Sequence, residues 1–137
     1  MSSLLLVEDD VGLLKIFTFF LEKKGFQVTS HTSPDNALKE LKQEQLTFDI
    51  ILSDIMMGHM SGFEFCKAVK SLNKYKSIPF MFISALLDME SKIKGFNLGI
   101  DDYIEKPAEL ESLELKINNL ISRHKRELEL TERVVEA

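Results

Sequence analysis

Near its amino terminus the chain reads Leu4-Leu5-Leu6-Val7-Glu8-Asp9-Asp10, four apolar residues that run directly into three acids. A continuous apolar run without alternation is typical of a strand that is buried on both faces of a sheet. The next residues, from Leu13 to Leu21, carry apolar side chains at three- and four-residue spacing and predict a helix that ends at Gly25. This order of strand, acids and helix predicts the first unit of an α/β fold.

The same alternation recurs along the chain. Further strands are predicted at residues 26–31, 48–53, 80–83 and 103–104, and further helices begin at the N-caps Ser33, Ser61 and Asp88 and at Glu109. The fourth helix carries its apolar residues at Met89, Ile93 and Phe96. Helical crossovers make consecutive strands parallel and cover both faces of the sheet. The sequence therefore predicts a doubly wound three-layer α/β/α sandwich around a five-stranded parallel sheet.

Composition restricts the function classes. At 137 residues, with 45% hydrophobic and 28% charged residues, the chain fits one globular domain and excludes a fibrous or low-complexity protein. A net charge of −5 argues against direct nucleic-acid binding. The single cysteine, Cys66, excludes an intrachain disulfide, and no apolar run is long enough for a signal peptide or a membrane span. We therefore expect a cytoplasmic protein with no membrane partner.

Polar and charged residues gather at the predicted carboxyl ends of the strands, where open parallel sheets bind ligands. They are Glu8, Asp9 and Asp10 after the first strand, Asp54 after the third, Ser84 at the fourth and Lys106 after the fifth. Clustered carboxylates repel one another unless a hard divalent cation lies among them, and Mg²⁺ is the economical choice. A lysine and a hydroxyl beside the cation predict a pocket for a tetrahedral dianion.

Each of these residues also has a structural alternative. Glu8 and Asp9 can be loop acids at a strand end, and Asp10 is equally well placed to be the N-cap of the first helix. Asp54 can be an ordinary loop residue, because aspartate is common where strands turn into loops. Ser84 can cap a turn, and Lys106 can be a solvated side chain. The coincidence of all of them at four strand ends favours a site.

Over residues 3–122 the chain resembles the receiver domains of two-component response regulators. The similarity is carried by Leu5-Leu6-Val7-Glu8-Asp9-Asp10, Ile51-Leu52-Ser53-Asp54-Ile55-Met56-Met57, Phe82-Ile83-Ser84-Ala85 and Gly99-Ile100-Asp101-Asp102-Tyr103-Ile104-Glu105-Lys106-Pro107. The resemblance implies the flavodoxin-like strand order 2-1-3-4-5. It also implies a signalling switch, and not a turnover enzyme, that assists its own phosphorylation and slow autodephosphorylation.

By that resemblance, Asp54 is the phosphoacceptor, and the phosphoryl donor is a sensor histidine kinase or a phosphotransfer protein. The expected Mg²⁺ ligands are Asp9, Asp54 and the backbone carbonyl of Met56, with Glu8 acting through a bound water. The loop after the third strand departs from many relatives, because Gly58-His59 replaces a Pro-Gly pair and removes a rigid element. His59 is expected to overhang the site.

The resemblance also implies how the switch responds. Ser84 and Lys106 are expected to contact the phosphoryl group, Tyr103 to turn inward behind Ser84, and the Lys106-Pro107 peptide bond to be cis. The output is expected on the face built by the fourth helix, the fifth strand and the fifth helix, which would regulate a partner or an output domain. That face and the last helix are the two candidate surfaces for a homodimer.

Residues 1–122 are thus predicted to be the receiver domain, and residues 123–137 a helical extension or a connector to an output domain. Ile121, Leu128 and Val135 are seven residues apart, but His124 and Thr131 occupy the seam between them, so a coiled coil is only weakly supported.

Two other function classes stay open. A phosphorylation-independent interaction module would inherit the same pocket. A Mg²⁺-dependent phosphatase with a nucleophilic aspartate would share the sheet and the acids, but position 56 is Met and supplies no general acid.

Overall fold

The computed structural model describes residues 1–85 and 87–136, so residue 137 of the predicted extension lies outside the described residues. The strands are β1 (Ser3–Val7), β2 (Gln27–His31), β3 (Ile50–Ser53), β4 (Phe80–Ser84) and β5 (Asp102–Glu105). The helices are α1 (Val11–Lys23), α2 (Pro34–Lys42), α3 (Gly62–Lys70), α4 (Met89–Asn97) and α5 (Leu110–Glu136). All neighbouring strands are parallel, in the order β2-β1-β3-β4-β5. The predicted fold and strand order are confirmed.

Two hydrophobic cores, one on each face of the sheet, explain the continuous apolar runs. Leu5 and Val7 point to the core that is shared with α2 and α3, while Leu4 and Leu6 of the same strand point to the core shared with α1 and α5. Each fully buried leucine contributes about 1.5–3 kcal/mol through loss of its apolar surface from water. A strand that faces two cores has no position left for a polar residue, so its polar residues come at its end.

The helices begin where the sequence predicts, because side-chain oxygens cap their free amides. Ser33 Oγ accepts a hydrogen bond from Asn36 N at 3.3 Å, and Ser61 Oγ accepts one from Glu64 N at 3.1 Å. Asp88 Oδ1 likewise accepts one from Ser91 N at 2.8 Å. The N-caps predicted at these three positions are confirmed.

Two predicted bounds differ from the structure by two or more residues. β3 begins at Ile50, two residues later than predicted, because Asp49 N and its carboxylate bond the backbone of Ser3 before the ladder starts. α3 ends at Lys70, where the last amides form tighter turns, and not near Asn73. The three apolar residues predicted for α4 lie exposed on the surface, and the only buried described residue of that helix is Gly95.

α5 is one continuous helix of 27 residues. Its first part packs against the sheet through Leu113, Ile117, Leu120 and Ile121, all buried. Beyond residue 122 the side chains described are exposed, apart from a half-buried His124. Within residues 1–85 and 87–136, no helix combines the length and apolarity needed to cross a membrane.

Candidate phosphoryl-acceptor site

The carboxyl ends of the strands bring together the residues that the sequence singled out. Asp54 follows β3, with its amide bonded to Val7 O at 3.0 Å, so it lies beside the end of β1. Glu8 follows β1, and Lys106 follows β5, with its amide bonded to Ser84 O at 3.0 Å. The register of the parallel ladder thus places two carboxylates, an ammonium group and a hydroxyl at one edge of the sheet.

Asp54 is held in place through both carboxylate oxygens. Oδ1 accepts a hydrogen bond from Ile55 N at 2.6 Å, and Oδ2 accepts one from Lys106 Nζ at 2.9 Å. The residue is only 7% exposed. Its carboxylate therefore has a fixed position at the floor of the site.

Lys106 joins two buried carboxylates. Its Nζ lies 2.5 Å from Glu8 Oε1 as well as 2.9 Å from Asp54 Oδ2. Burial by itself would lower the pKa of Lys106, but the hydrogen bonds to Glu8 and Asp54 and their charges raise it above its ordinary value. The lysine is therefore a permanent cation in this site.

Glu8 has an unusual environment for a carboxyl group, because it is only 2% exposed. Burial raises the pKa of Glu8 to about 7, and the charge of Asp54 adds to the rise. Hydrogen bonds from Lys106 and from the amide of Asp10, at 3.1 Å, oppose it. The pKa of Glu8 is thus raised even with Lys106 beside it, and a divalent cation bound at this carboxylate would oppose the rise.

Glu8, Asp9 and Asp54 form a group that could hold a metal ion, since one carboxylate oxygen from each lies within 4.8 Å of the others. An all-oxygen donor set of this kind suits a hard cation such as Mg²⁺, and exposed Asp9 leaves the cluster open to water ligands. Asp10 is outside this group. Its Oδ1 accepts a hydrogen bond from Leu13 N at 3.0 Å, so the capping alternative describes Asp10 in this structure.

The remaining predicted residues surround this centre. Ser84 is buried at the end of β4, and the Lys106-Pro107 peptide bond is cis. The Tyr103 ring lies against α4, edge-on to Phe96 with centroids 5.7 Å apart and with Lys92 Nζ 4.8 Å from its centroid. Met56 lies two residues after Asp54, with a side chain that is 65% exposed.

Two supporting residues were not predicted from the sequence. Ser53 is fully buried, and its hydroxyl donates to the carbonyl oxygen of Asp54 at 2.7 Å. Gly62 N donates to Ile55 O at 2.6 Å, and a Cβ atom at Gly62 would overlap the carbonyl oxygen of Asp54. Only the absence of a side chain lets α3 start this close to Asp54, and the capping pattern at Ser61 is the one sequence signal that pointed there.

The histidines near the site pair with acids of α2. His59 Nε2 lies 2.8 Å from Asp35 Oδ2 on the surface, and half-buried His31 Nε2 lies 3.0 Å from Glu40 Oε1. The loop after β3 is therefore tied to α2 at a point where many relatives are expected to carry a Pro-Gly pair.

Comparison with known proteins supports the same interpretation. The model of the response regulator receiver domain matches residues 4–118. The chain is 37% identical over 123 residues to the response regulator SaeR of Staphylococcus epidermidis, covering 90% of this chain and 52% of the relative. It is 34% identical over 124 residues to the heme response regulator HssR of Staphylococcus saprophyticus, covering 90% and 53%. The chain thus spans about half the length of these curated relatives.

Solved structures with the same fold include chemotaxis protein CheY4 of Vibrio cholerae, with a TM-score of 0.83 and 28% identity over 88% of this chain and 98% of that one. The receiver domain of the Francisella response regulator 1452 has a TM-score of 0.81 and 28% identity, over 90% and 98%. An α/β switch fold with acids at the ends of β1 and β3 defines a class of signalling domain. This chain belongs to the response regulator receiver domain family.

Proposed function

We propose that Asp54 accepts a phosphoryl group from a phosphohistidine of a sensor histidine kinase or a phosphotransfer protein in the cytoplasm. The observation that carries this proposal is the buried Asp54 carboxylate, which is fixed by hydrogen bonds from Ile55 N and Lys106 Nζ. Together with Glu8 and Asp9 it forms the cluster of carboxylates that could hold a metal ion. A fixed carboxylate beside a permanent cation is suited to attack an anionic phosphorus centre.

In this transfer the bond between the histidine nitrogen and phosphorus breaks, and a bond between an Asp54 carboxylate oxygen and phosphorus forms. The histidine nitrogen keeps the electron pair. Mg²⁺, held by Asp9, Asp54 and the Met56 carbonyl with Glu8 nearby, would neutralise charge on the phosphoryl oxygens. Lys106 exchanges part of its contact with Glu8 and Asp54 for a phosphoryl oxygen, and the Ser84 hydroxyl donates to another.

The response is proposed to spread through β4 and β5 to the face built by α4, β5 and α5. Movement of Ser84 towards the phosphoryl group makes room for Tyr103, whose ring leaves Phe96 and Lys92 and turns inward. The apolar residues on α4 then present a different surface to an output partner or to a second copy of the chain.

The test is phosphorylation of the isolated protein with a small-molecule phosphodonor and Mg²⁺. We expect one label per chain that survives acid, is lost in base, and is absent from Asp54→Asn. Asp35→Asn is the matched control, because it makes the same change on the surface and should keep the label. Stable label in Asp54→Asn would contradict the proposal.

The same experiment separates the other function classes. Release of phosphate over many turnovers would indicate a phosphatase, and no labelling of the wild-type chain would leave the interaction module. Lys106→Ala is expected to keep Mg²⁺ binding while losing the response of the α4 face. The reason is that Lys106 contacts the clustered carboxylates as a cation and is not a ligand of the metal. Loss of Mg²⁺ affinity in Lys106→Ala would contradict that role.

A further inference from the structure

The last part of α5, residues 123–136, is a helix with no partner among the described residues. We call it the C-terminal extension. Its apolar side chains Leu128, Leu130 and Val134 are exposed, and the described side chains of residues 123–134 form no ion pair. A helix of this length without tertiary contacts is marginal in water, so a contact that covers it would stabilise it.

Charge is divided along the C-terminal extension. Arg123, Lys125 and Arg126 give its first four residues a charge of +3, with His124 neutral. Residues 127–136 contain four glutamates and one arginine and have a charge of −3. Glutamates at the carboxyl end oppose the helix dipole, so the pattern is not explained by the stability of the single helix. Two such helices attract each other when they run in opposite directions.

The apolar seam of α5 continues into the C-terminal extension. Leu128 lies seven residues after buried Ile121 and seven before Val135. These three residues therefore take the position labelled a in a seven-residue repeat, abcdefg. In that heptad, Lys125 and Glu132 occupy the e positions, while Glu127 occupies g. The e and g residues flank the seam and determine the orientation of a helix pair.

The two possible orientations differ in the sign of the flanking contacts. In a parallel pair, each g residue meets the e residue five positions later on the other helix, so Glu127 would face Glu132 twice. In an antiparallel pair, e residues meet e residues, so Lys125 of each copy faces Glu132 of the other. The antiparallel register that aligns these pairs sets residue 123 of one helix opposite residue 134 of the other, which leaves the two receiver domains at opposite ends.

We propose that the C-terminal extension pairs with the C-terminal extension of a second copy of this chain in antiparallel orientation. The contacts are the seam at Leu128 and the two Lys125–Glu132 pairs. His124 and Thr131 in the d positions make the seam only partly apolar, so the dimer is weak and sensitive to salt. This inference does not rest on phosphorylation of Asp54, because self-association and labelling are measured separately.

Sedimentation velocity of the full chain, up to about millimolar concentration, tests the proposal. We expect reversible dimerisation, and Lys125→Glu and Glu132→Lys should each weaken it roughly tenfold, because two attractive contacts become repulsive. Arg126→Glu and Glu129→Lys make the same charge changes outside the e and g positions and should have little effect.

Mixing is the decisive measurement. Lys125→Glu chains mixed with Glu132→Lys chains regain both opposite-charge pairs, so a heterodimer of wild-type strength is expected. A chain that stays monomeric throughout the concentration range would overturn the proposal. So would stronger dimerisation of Glu132→Lys, because in a parallel pair that change places a lysine opposite Glu127 and makes both contacts attractive. Equal weakening by Arg126→Glu would show a nonspecific charge effect and would also overturn it.

Discussion

α3 and α4 are both nine residues long and both begin with a side-chain cap, yet they are anchored very differently. α3 buries five residues, among them Phe65, Cys66 and Val69, and its first residue lies against the backbone of Asp54 and Ile55. α4 buries only Gly95 of its described residues and leaves Met89, which is 71% exposed, and Phe96 on the surface. The two helices thus have the same length and the same kind of cap but differ in how much of their surface is buried. We infer that α3 fixes the site while α4 is free to repack.

The largest difference between the two helices should come from removing an aromatic ring. Phe65 is fully buried and packs against Phe80, so Phe65→Ala is expected to lower the free energy of unfolding by about 3–5 kcal/mol. Phe96 is 48% exposed, so Phe96→Ala should lower the free energy of unfolding by no more than about 1 kcal/mol. Urea unfolding measures both, and equal losses would show that α4 is anchored as firmly as α3.

The next largest effect concerns the helix glycines. Gly62→Ala is expected to cost about 3 kcal/mol and to slow labelling of Asp54, because the new Cβ would collide with backbone atoms at Asp54 and Ile55. In Gly95→Ala the new Cβ would lie 2.8 Å from Ile100 Cδ1, the end of a side chain that can move. Alanine also gains about 1 kcal/mol of helix propensity, so we expect Gly95→Ala to destabilise the protein less than Gly62→Ala. Thermal unfolding and the rate of Asp54 labelling distinguish the two variants. A Gly62→Ala protein with unchanged stability and labelling would contradict the close contact between Gly62 and the backbone of Asp54.

Thiol reactivity sharpens the comparison further. Burial raises the pKa of Cys66 to about 11, with the charge of Lys70 opposing the rise. At pH 8 we expect Cys66 to react with a thiol reagent at least about a hundredfold more slowly than a cysteine placed on α4 by Met89→Cys. Stability from the protonated thiol is fully present below pH 9 and is lost as pH rises towards 11. Cys66→Ala should lack this alkaline decline.

The smallest effect is at the caps. A hydrogen bond with Ser91 lowers the pKa of Asp88, so the cap of α4 stabilises the helix above the ordinary carboxyl pKa and is lost as pH falls through the lowered value. The neutral cap Ser61 of α3 has no such dependence. Loss of the cap should therefore lower the amide-exchange protection factors, which compare each rate with the intrinsic rate at the same pH, at residues 89–91 on acidification, whereas the protection factors at residues 62–64 should not respond. Asp88→Asn keeps a capping oxygen and should abolish the pH dependence.

Much of the fold was predictable because strand and helix signals are local. Four-residue apolar runs require two covered faces, and caps such as Ser33 and Ser61 mark where helices begin. The bounds of β3 were wrong because Phe48 is buried without joining the ladder; its ring packs near Tyr75 instead. Burial and strand pairing produce the same sequence pattern at such positions.

The candidate site was predictable as a set, since the carboxyl ends of parallel strands meet at one edge. Its internal contacts were not, because they depend on side-chain reach across the sheet. Nothing in the sequence shows that Lys106 contacts Glu8 as well as Asp54, or that the Tyr103 ring lies against Phe96. Likewise, the spacing of Met89, Ile93 and Phe96 shows that they share a face of α4 but not what that face meets.

α5 begins three residues after the cis Lys106-Pro107 bond and continues without interruption to Glu136. At 1.5 Å per residue it is a rod of about 40 Å, anchored only along its first third to half. A tilt of about 5° at the anchored end displaces the far end by about 3.5 Å, more than the length of a hydrogen bond. The helix can therefore act as a lever that converts a small rearrangement beside Lys106 into the making or breaking of contacts far from Asp54.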